Sequence, residues 1–101
     1  MWPASAVVKV DDTPPGIGEG RAAGTWVVGV ALSGNIAGLT EAELAALPEP
    51  ERVALRARAV GELMAAGAHL VIDSIADLPA AVVWIEGRIA DGADPRHHGA
   101  T

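Results

Sequence analysis

Short apolar segments alternate with longer amphipathic ones along this chain of 101 residues. The apolar runs at 7–10, 25–32 and 69–72 predict three β-strands, and their continuous apolar character predicts a sheet covered on both faces. The segments between them have the spacing of helices. Strands that alternate with helices predict the α/β class, with a parallel sheet, right-handed crossovers and the order β-α-β-αα-β-α.

The first helix is predicted immediately after an acidic strand end. Thr13 can cap it, and Pro14 then takes the first helical position, where a missing N–H costs nothing. We expect this helix to run to Ala23 and to stop at Gly24. Glycines inside it indicate either close packing or a frayed helix, since each costs about 1 kcal/mol relative to alanine. These glycines are Gly16, Gly18 and Gly20.

The other helices are predicted from their caps and their apolar positions. Thr40 and Glu43 form a capping box before a short helix that Pro48 ends. A longer helix is expected over 51–66 and a last one over 79–90. The apolar stripe expected to face the core in the longer helix consists of Val53, Leu55, Val60, Leu63 and Met64.

Composition limits the architecture and the partners. The length suits one domain, so we assign 1–91 to a core and 92–101 to a disordered tail. A formal net charge of −6 argues against nucleic acid and anionic membranes as partners. The absence of cysteine excludes disulfides and thiol chemistry. With no apolar run of about 20 residues and no secretory signal, we expect a cytoplasmic protein.

Two adjacent carboxylates, Asp11 and Asp12, directly follow the first predicted strand. In open α/β sheets, ligands bind at the carboxyl ends of the strands. Two acids cannot both be buried there without a cation or a proton to offset their charge. The pair therefore predicts half of a metal or phosphate site. Acids that favour a helix N-terminus would explain the same residues without a ligand.

Several separated motifs occur in one order between residues 3 and 89. They are KVDDT at 9–13, EG at 19–20, AG at 23–24, TWVVGV at 25–30, GLT at 38–40, GAH at 67–69 and VIDS at 71–74. In this order they resemble the carboxyl-terminal part of the phosphonoacetaldehyde hydrolases, a family of the haloacid dehalogenase superfamily.

The resemblance implies a three-layer Rossmann-like core and Mg²⁺-dependent cleavage of a carbon–phosphorus bond, which yields acetaldehyde and phosphate from phosphonoacetaldehyde. By matching position, it implies that Asp12 is a Mg²⁺ ligand. Asp11 stands where many relatives have glycine, and the resemblance makes it a second or water-mediated ligand. Other relatives carry their second acid four positions after the first, which is Gly16 here.

The resemblance also implies that much of the active site lies outside this sequence. In that family a nucleophilic aspartate and a Schiff-base lysine on a cap domain lie upstream, and Lys9, the single lysine here, does not match the latter. We therefore expect a fragment that is inactive alone. Its first strand would present an open edge to a second copy or to an amino-terminal partner.

Two other interpretations remain open. The chain can be a non-catalytic α/β module for interaction or oligomerisation, or part of another phosphatase of the same superfamily, since fold analogy does not choose among them. Elsewhere, Asp73 and Ser74 end the third predicted strand near the sheet edge, where helix capping explains them. His69 is interpreted as structural, and His97 and His98 lack a third metal ligand.

Overall fold

A three-stranded parallel sheet forms the centre of the computed structural model, which describes residues 3–32 and 40–96. The strands are β1 (Val8–Asp11), β2 (Trp26–Val30) and β3 (Leu70–Ile72), in the spatial order β1-β2-β3. All five residues of β2 are buried, whereas β1 is half-buried throughout. The predicted α/β class and parallel sheet are confirmed.

The described residues form four helices: α1 (Pro14–Ala22), α2 (Glu41–Ala46), α3 (Glu49–Ala66) and α4 (Leu78–Ala90). They also form two 3₁₀ turns, at Ala4–Ala6 and Ile75–Asp77. None of the helices in the described residues is both long and apolar enough to cross a membrane.

The helix ends follow the predicted local signals. The hydroxyl of Thr13 accepts a hydrogen bond from the Gly16 N–H at the start of α1. The capping box of Thr40 and Glu43 is present at the start of α2. Gly67 ends α3 with a φ of 114°, a backbone conformation that side chains with a β-carbon rarely adopt. These ends depend on neighbouring residues only, which is why the sequence predicts them.

Alternate side chains of β2 point into two apolar clusters, one on each face of the sheet. On one face the cluster consists of Trp26, Val28, Val30, Ile72, Ala81 and Ile85, so α4 covers this face. On the other face it consists of Ile17, Val27, Leu63 and Ala68, so α1 and α3 cover it. Because helices cover both faces of β2, its sequence is a continuous apolar run.

The predicted apolar stripe of α3 is wrong at two positions. Val53 is 58% exposed and Met64 is 44% exposed, whereas Ala59 and Leu63 face the core. The helix is rotated so that Leu63 packs against Gly29 of β2, where a glycine allows close approach. A small residue at position 59 fits the same approach, because a larger side chain would hold the helix away from the sheet.

The segment predicted as a disordered tail is packed at its beginning. Pro95 is fully buried, and its carbonyl accepts a hydrogen bond of 3.0 Å from the Arg21 guanidinium. His69 lies at the same place, and its Nδ1 accepts from the Val27 N–H at 3.0 Å. Within 92–96, Pro95 is therefore packed against the rest of the molecule. Residues 97–101, with His97 and His98, and the predicted loop at 33–38 lie outside the described residues.

Candidate functional site

A cavity of about 230 Å³ lies at the carboxyl edge of the sheet. It is lined by Val10, Asp11, Asp12, Val30 and Ile75. Val10 and Asp11 end β1, Asp12 follows directly, and Val30 ends the neighbouring strand β2. Asp11 and Asp12 thus lie at the carboxyl edge of the sheet, which is the place where open α/β sheets bind ligands.

The carboxylate of Asp11 joins the end of β1 to the start of α1. Its Oδ1 accepts hydrogen bonds from the Thr13 N–H at 2.8 Å and from the Thr13 hydroxyl at 2.9 Å. The same hydroxyl oxygen accepts from the Gly16 N–H at 3.2 Å. One oxygen of Asp11 is thus committed to a turn that fixes the first helical residues.

The surroundings of Asp11 favour its ionised form. Burial raises the pKa of this carboxyl, but the hydrogen bonds from Thr13 and from the Asp12 backbone, together with the positive charge of Lys9, outweigh burial. The pKa of Asp11 therefore lies below its usual range. Hydrogen bonds that favour the charged form produce such a shift. The cavity accordingly carries a fixed negative charge at neutral pH.

Lys9 lies on the α1 side of β1. Its ammonium group donates to the carbonyl of Gly16 at 3.0 Å and lies 3.6 Å from the carboxylate of Glu19. The contact with the Gly16 carbonyl adds a second tie between β1 and α1. Lys9 thus affects Asp11 in two ways. Its positive charge favours the ionised carboxylate, and its hydrogen bond to Gly16 fixes α1 beside the end of β1.

Asp12 is half-buried and lines the cavity beside Asp11. Within the described ranges, no group of three His, Asp or Glu side chains is arranged to hold a metal ion. Mg²⁺ does not need such a cage, since proteins usually bind it through one or two carboxylates, with water and substrate phosphate as the other ligands. Two adjacent carboxylates at an open cavity are a donor set that fits this ion.

The sequence did not identify every residue at this site. Ile75 lines the cavity although it is 59% exposed, because the 3₁₀ turn after β3 brings it to the same edge. No motif marks Ile75, and its place depends on how the turn follows the strand. By contrast, Asp73 is not among the residues that line this cavity, and its carboxylate forms an ion pair with Arg56. Of the two residues predicted to cap, Ser74 is the N-cap of the following 3₁₀ turn.

The chain is similar to several known proteins over most of its length. No family model matches the sequence. The chain is 50% identical over 95 residues to a phosphonoacetaldehyde hydrolase from Paraburkholderia xenovorans, which covers 94% of this chain and 36% of the relative. It is 52% identical over 88 residues to a phosphonoacetaldehyde hydrolase from Bordetella pertussis, which covers 87% of this chain and 32% of the relative.

The resemblance to the phosphonoacetaldehyde hydrolases is confirmed. A crystal structure described as a phosphonoacetaldehyde hydrolase-like protein from Oleispira antarctica superposes with a TM-score of 0.90 at 44% identity. The match covers 94% of this chain and 34% of that chain. The chain thus spans about a third of the length of its phosphonoacetaldehyde hydrolase relatives, which is consistent with the predicted carboxyl-terminal part.

Proposed function

We propose that this chain forms the metal-binding carboxyl-terminal part of the core of a phosphonoacetaldehyde hydrolase. The reaction would split the carbon–phosphorus bond of phosphonoacetaldehyde and release acetaldehyde and phosphate. The main support is the placement of Asp12 in a cavity at the carboxyl edge of a parallel sheet. The identity of about half the residues to enzymes of that name supports the same assignment.

In this proposal Asp12 contributes a carboxylate oxygen directly to Mg²⁺. When bound, the ion would neutralise charge on the phosphoryl oxygens and hold them in position. Asp11 adds a second negative charge next to the ion, while its Oδ1 remains engaged with Thr13. The apolar side chains of Val10, Val30 and Ile75 line the cavity together with the two acids.

The remaining catalytic groups would come from polypeptide other than these residues. A nucleophile and a Schiff-base lysine, which the family requires, have no counterpart among the residues of this chain. The described part of β1 pairs with β2 on one side only, so its other edge offers hydrogen-bonding groups to a further strand. We infer that an amino-terminal part of such an enzyme occupies this edge and that the chain alone is inactive.

A complementation assay tests this proposal. The chain is co-expressed with the part of the Paraburkholderia xenovorans relative that it does not match, and acetaldehyde release from phosphonoacetaldehyde is measured with and without Mg²⁺. We expect activity only when both parts and Mg²⁺ are present, and none with Asp12→Asn. Asp73→Asn serves as a matched control and should retain activity.

Other outcomes would contradict the proposal. Activity of the chain alone near that of the full-length relative would show that the missing groups are not needed. A complex that forms but releases no acetaldehyde would favour a non-catalytic interaction module. A complex that releases phosphate only from other phosphorylated substrates would indicate a different phosphatase of the superfamily.

A further inference from the structure

Gly16, the third residue of α1, is enclosed on three sides by groups from the start of the chain. Its N–H donates to the Thr13 hydroxyl at 3.2 Å, and its carbonyl accepts from the Lys9 ammonium at 3.0 Å. On the remaining side, a β-carbon built on Gly16 would overlap the carboxylate of Asp11. Gly16 is buried, and its φ does not lie in the left-handed region. The requirement for glycine here is therefore a requirement for space and not for backbone conformation.

The Asp11 carboxylate cannot move away from Gly16 at low cost. Its Oδ1 holds both the N–H and the hydroxyl of Thr13, so rotation of the side chain would break two hydrogen bonds. Hydrogen bonds to a charged group are among the stronger ones in proteins. A side chain at position 16 and the carboxylate at position 11 therefore exclude each other.

We propose that Asp11 is a positioning residue, and that it can act only because position 16 is glycine. Its carboxylate fills the space over Gly16 and fixes the turn 11–13, in which Asp12 is the central residue. The adjacent acids then have different tasks. Asp12 binds the cation and Asp11 sets where Asp12 lies, an assignment that rests on the proposed function for the cation-binding step only.

The exclusion between positions 11 and 16 is tested by thermal unfolding of four chains: wild type, Gly16→Ala, Asp11→Gly and the double variant. In the wild-type background Gly16→Ala should lower the Tm, by about 4 °C or more for a loss of about 1 kcal/mol in a domain of this size. In the Asp11→Gly background the same change should be neutral or stabilising, because alanine is the better helix former. Asp11→Ala replaces Asp11→Gly if glycine unfolds the strand end.

Equal Tm changes in the two backgrounds would overturn the exclusion, since the cost would then come from something other than the Asp11 carboxylate. Gly18→Ala is the matched control, because a β-carbon at Gly18 meets no atom within 4 Å. It should leave the Tm unchanged or raise it in both backgrounds.

The positioning role is tested separately by calorimetric titration of the chain with Mg²⁺. Asp11→Asn keeps an acceptor for Thr13 and removes the charge, so the affinity should fall by less than about tenfold, the effect of one nearby charge in a solvated site. Asp11→Ala removes the acceptor as well and should weaken binding further. If Asp11→Asn abolishes binding as fully as Asp12→Asn, Asp11 is a ligand and the positioning role is wrong. If neither Asp11→Asn nor Asp12→Asn alters the heat of Mg²⁺ binding, the proposed cation site is wrong. The exclusion between positions 11 and 16 does not depend on that result, because the unfolding experiment tests it separately.

Discussion

Two strand ends of this protein look alike in sequence and differ in structure. β1 ends in Asp11, and β3 is followed directly by Asp73, with a hydroxyl residue and a helical turn after each. At β3 the carboxylate forms an exposed ion pair with Arg56. At β1 the carboxylate is bound by Thr13, and the next residue, Asp12, lines a cavity.

The difference shows what makes an acidic strand end a candidate site. At the β3 end, the surface side chain of Arg56 offsets the charge of the Asp73 carboxylate, so no ligand is needed there. At the β1 end, hydrogen bonds from Thr13 and the Asp12 backbone, with the charge of Lys9, favour the ionised form of Asp11, and a second carboxylate lies beside it at the cavity. A cation is the ligand that this arrangement favours.

The largest effect is expected from removing the Asp11 carboxylate. Asp11→Ala deletes the acceptor of two hydrogen bonds from Thr13 and should lower the free energy of unfolding by about 2 kcal/mol at pH 7. Urea unfolding followed by circular dichroism measures this change. Asp12→Ala is the control and should cost less, and an equal cost for both variants would contradict the assignment of Asp11 to the turn.

The contribution of Asp11 should also depend on pH. Because its folded pKa is lowered, the stabilisation is fully present above the unfolded value of about 3.9 and is lost as the pH falls through the folded value. The difference in unfolding free energy between wild type and Asp11→Asn should therefore be constant above about pH 5 and should shrink below pH 4. Urea titrations from neutral to acidic pH measure it. A difference that grows on acidification would have the wrong sign.

The two hydroxyl residues give the next comparison. Thr13→Ala removes the cap of α1 and should cost about 1 kcal/mol. Ser74→Ala removes one half of a capping box on a 3₁₀ turn of three residues, Ile75–Asp77, and should cost less. The same urea unfolding experiment ranks the two variants. A larger loss for Ser74→Ala would reverse the ranking of the two strand ends.

The smallest effect is expected at the ion pair of the β3 end. Both partners are nearly half exposed, with 49% for the side chain of Arg56 and 44% for that of Asp73. Asp73→Ala should therefore change the free energy of unfolding by less than about 1 kcal/mol. A double-mutant cycle with Arg56→Ala at low and high salt isolates the pair. A coupling free energy that is large and insensitive to salt would show that the ion pair stabilises the β3 end more than proposed.

The features of the fold that the sequence predicts are those that depend on residues close together in the chain. The cap at Thr13, the box of Thr40 and Glu43, and the terminator Gly67 involve residues within one turn of each other. The rotation of α3 that exposes Val53 depends on where Gly29 lies in the sheet. Pro95 packs beside Arg21, which is far away in sequence, so composition alone assigned it to a tail.

The same distinction between local signals and contacts across the fold applies to the candidate site. The position of Asp12 follows from a general rule about strand ends, so the sequence predicts it. The role of Asp11 does not follow from that rule, because the carboxylate fits only where Gly16 leaves space on the neighbouring helix. The pattern of glycines in α1 suggested close packing, yet it did not indicate which neighbour would fill the space.

Calorimetric titration with Mg²⁺ of wild type, Asp12→Asn and Asp73→Asn tests the central claim most directly. We predict weak, saturable binding in the millimolar range for wild type, since Asp12 alone gives the ion few protein ligands and Asp11 adds only a nearby negative charge. Asp73→Asn should show the same heats, and Asp12→Asn should show none. Equal heats for wild type and Asp12→Asn, or a loss of binding in Asp73→Asn, would contradict the assignment of the cation to the β1 end.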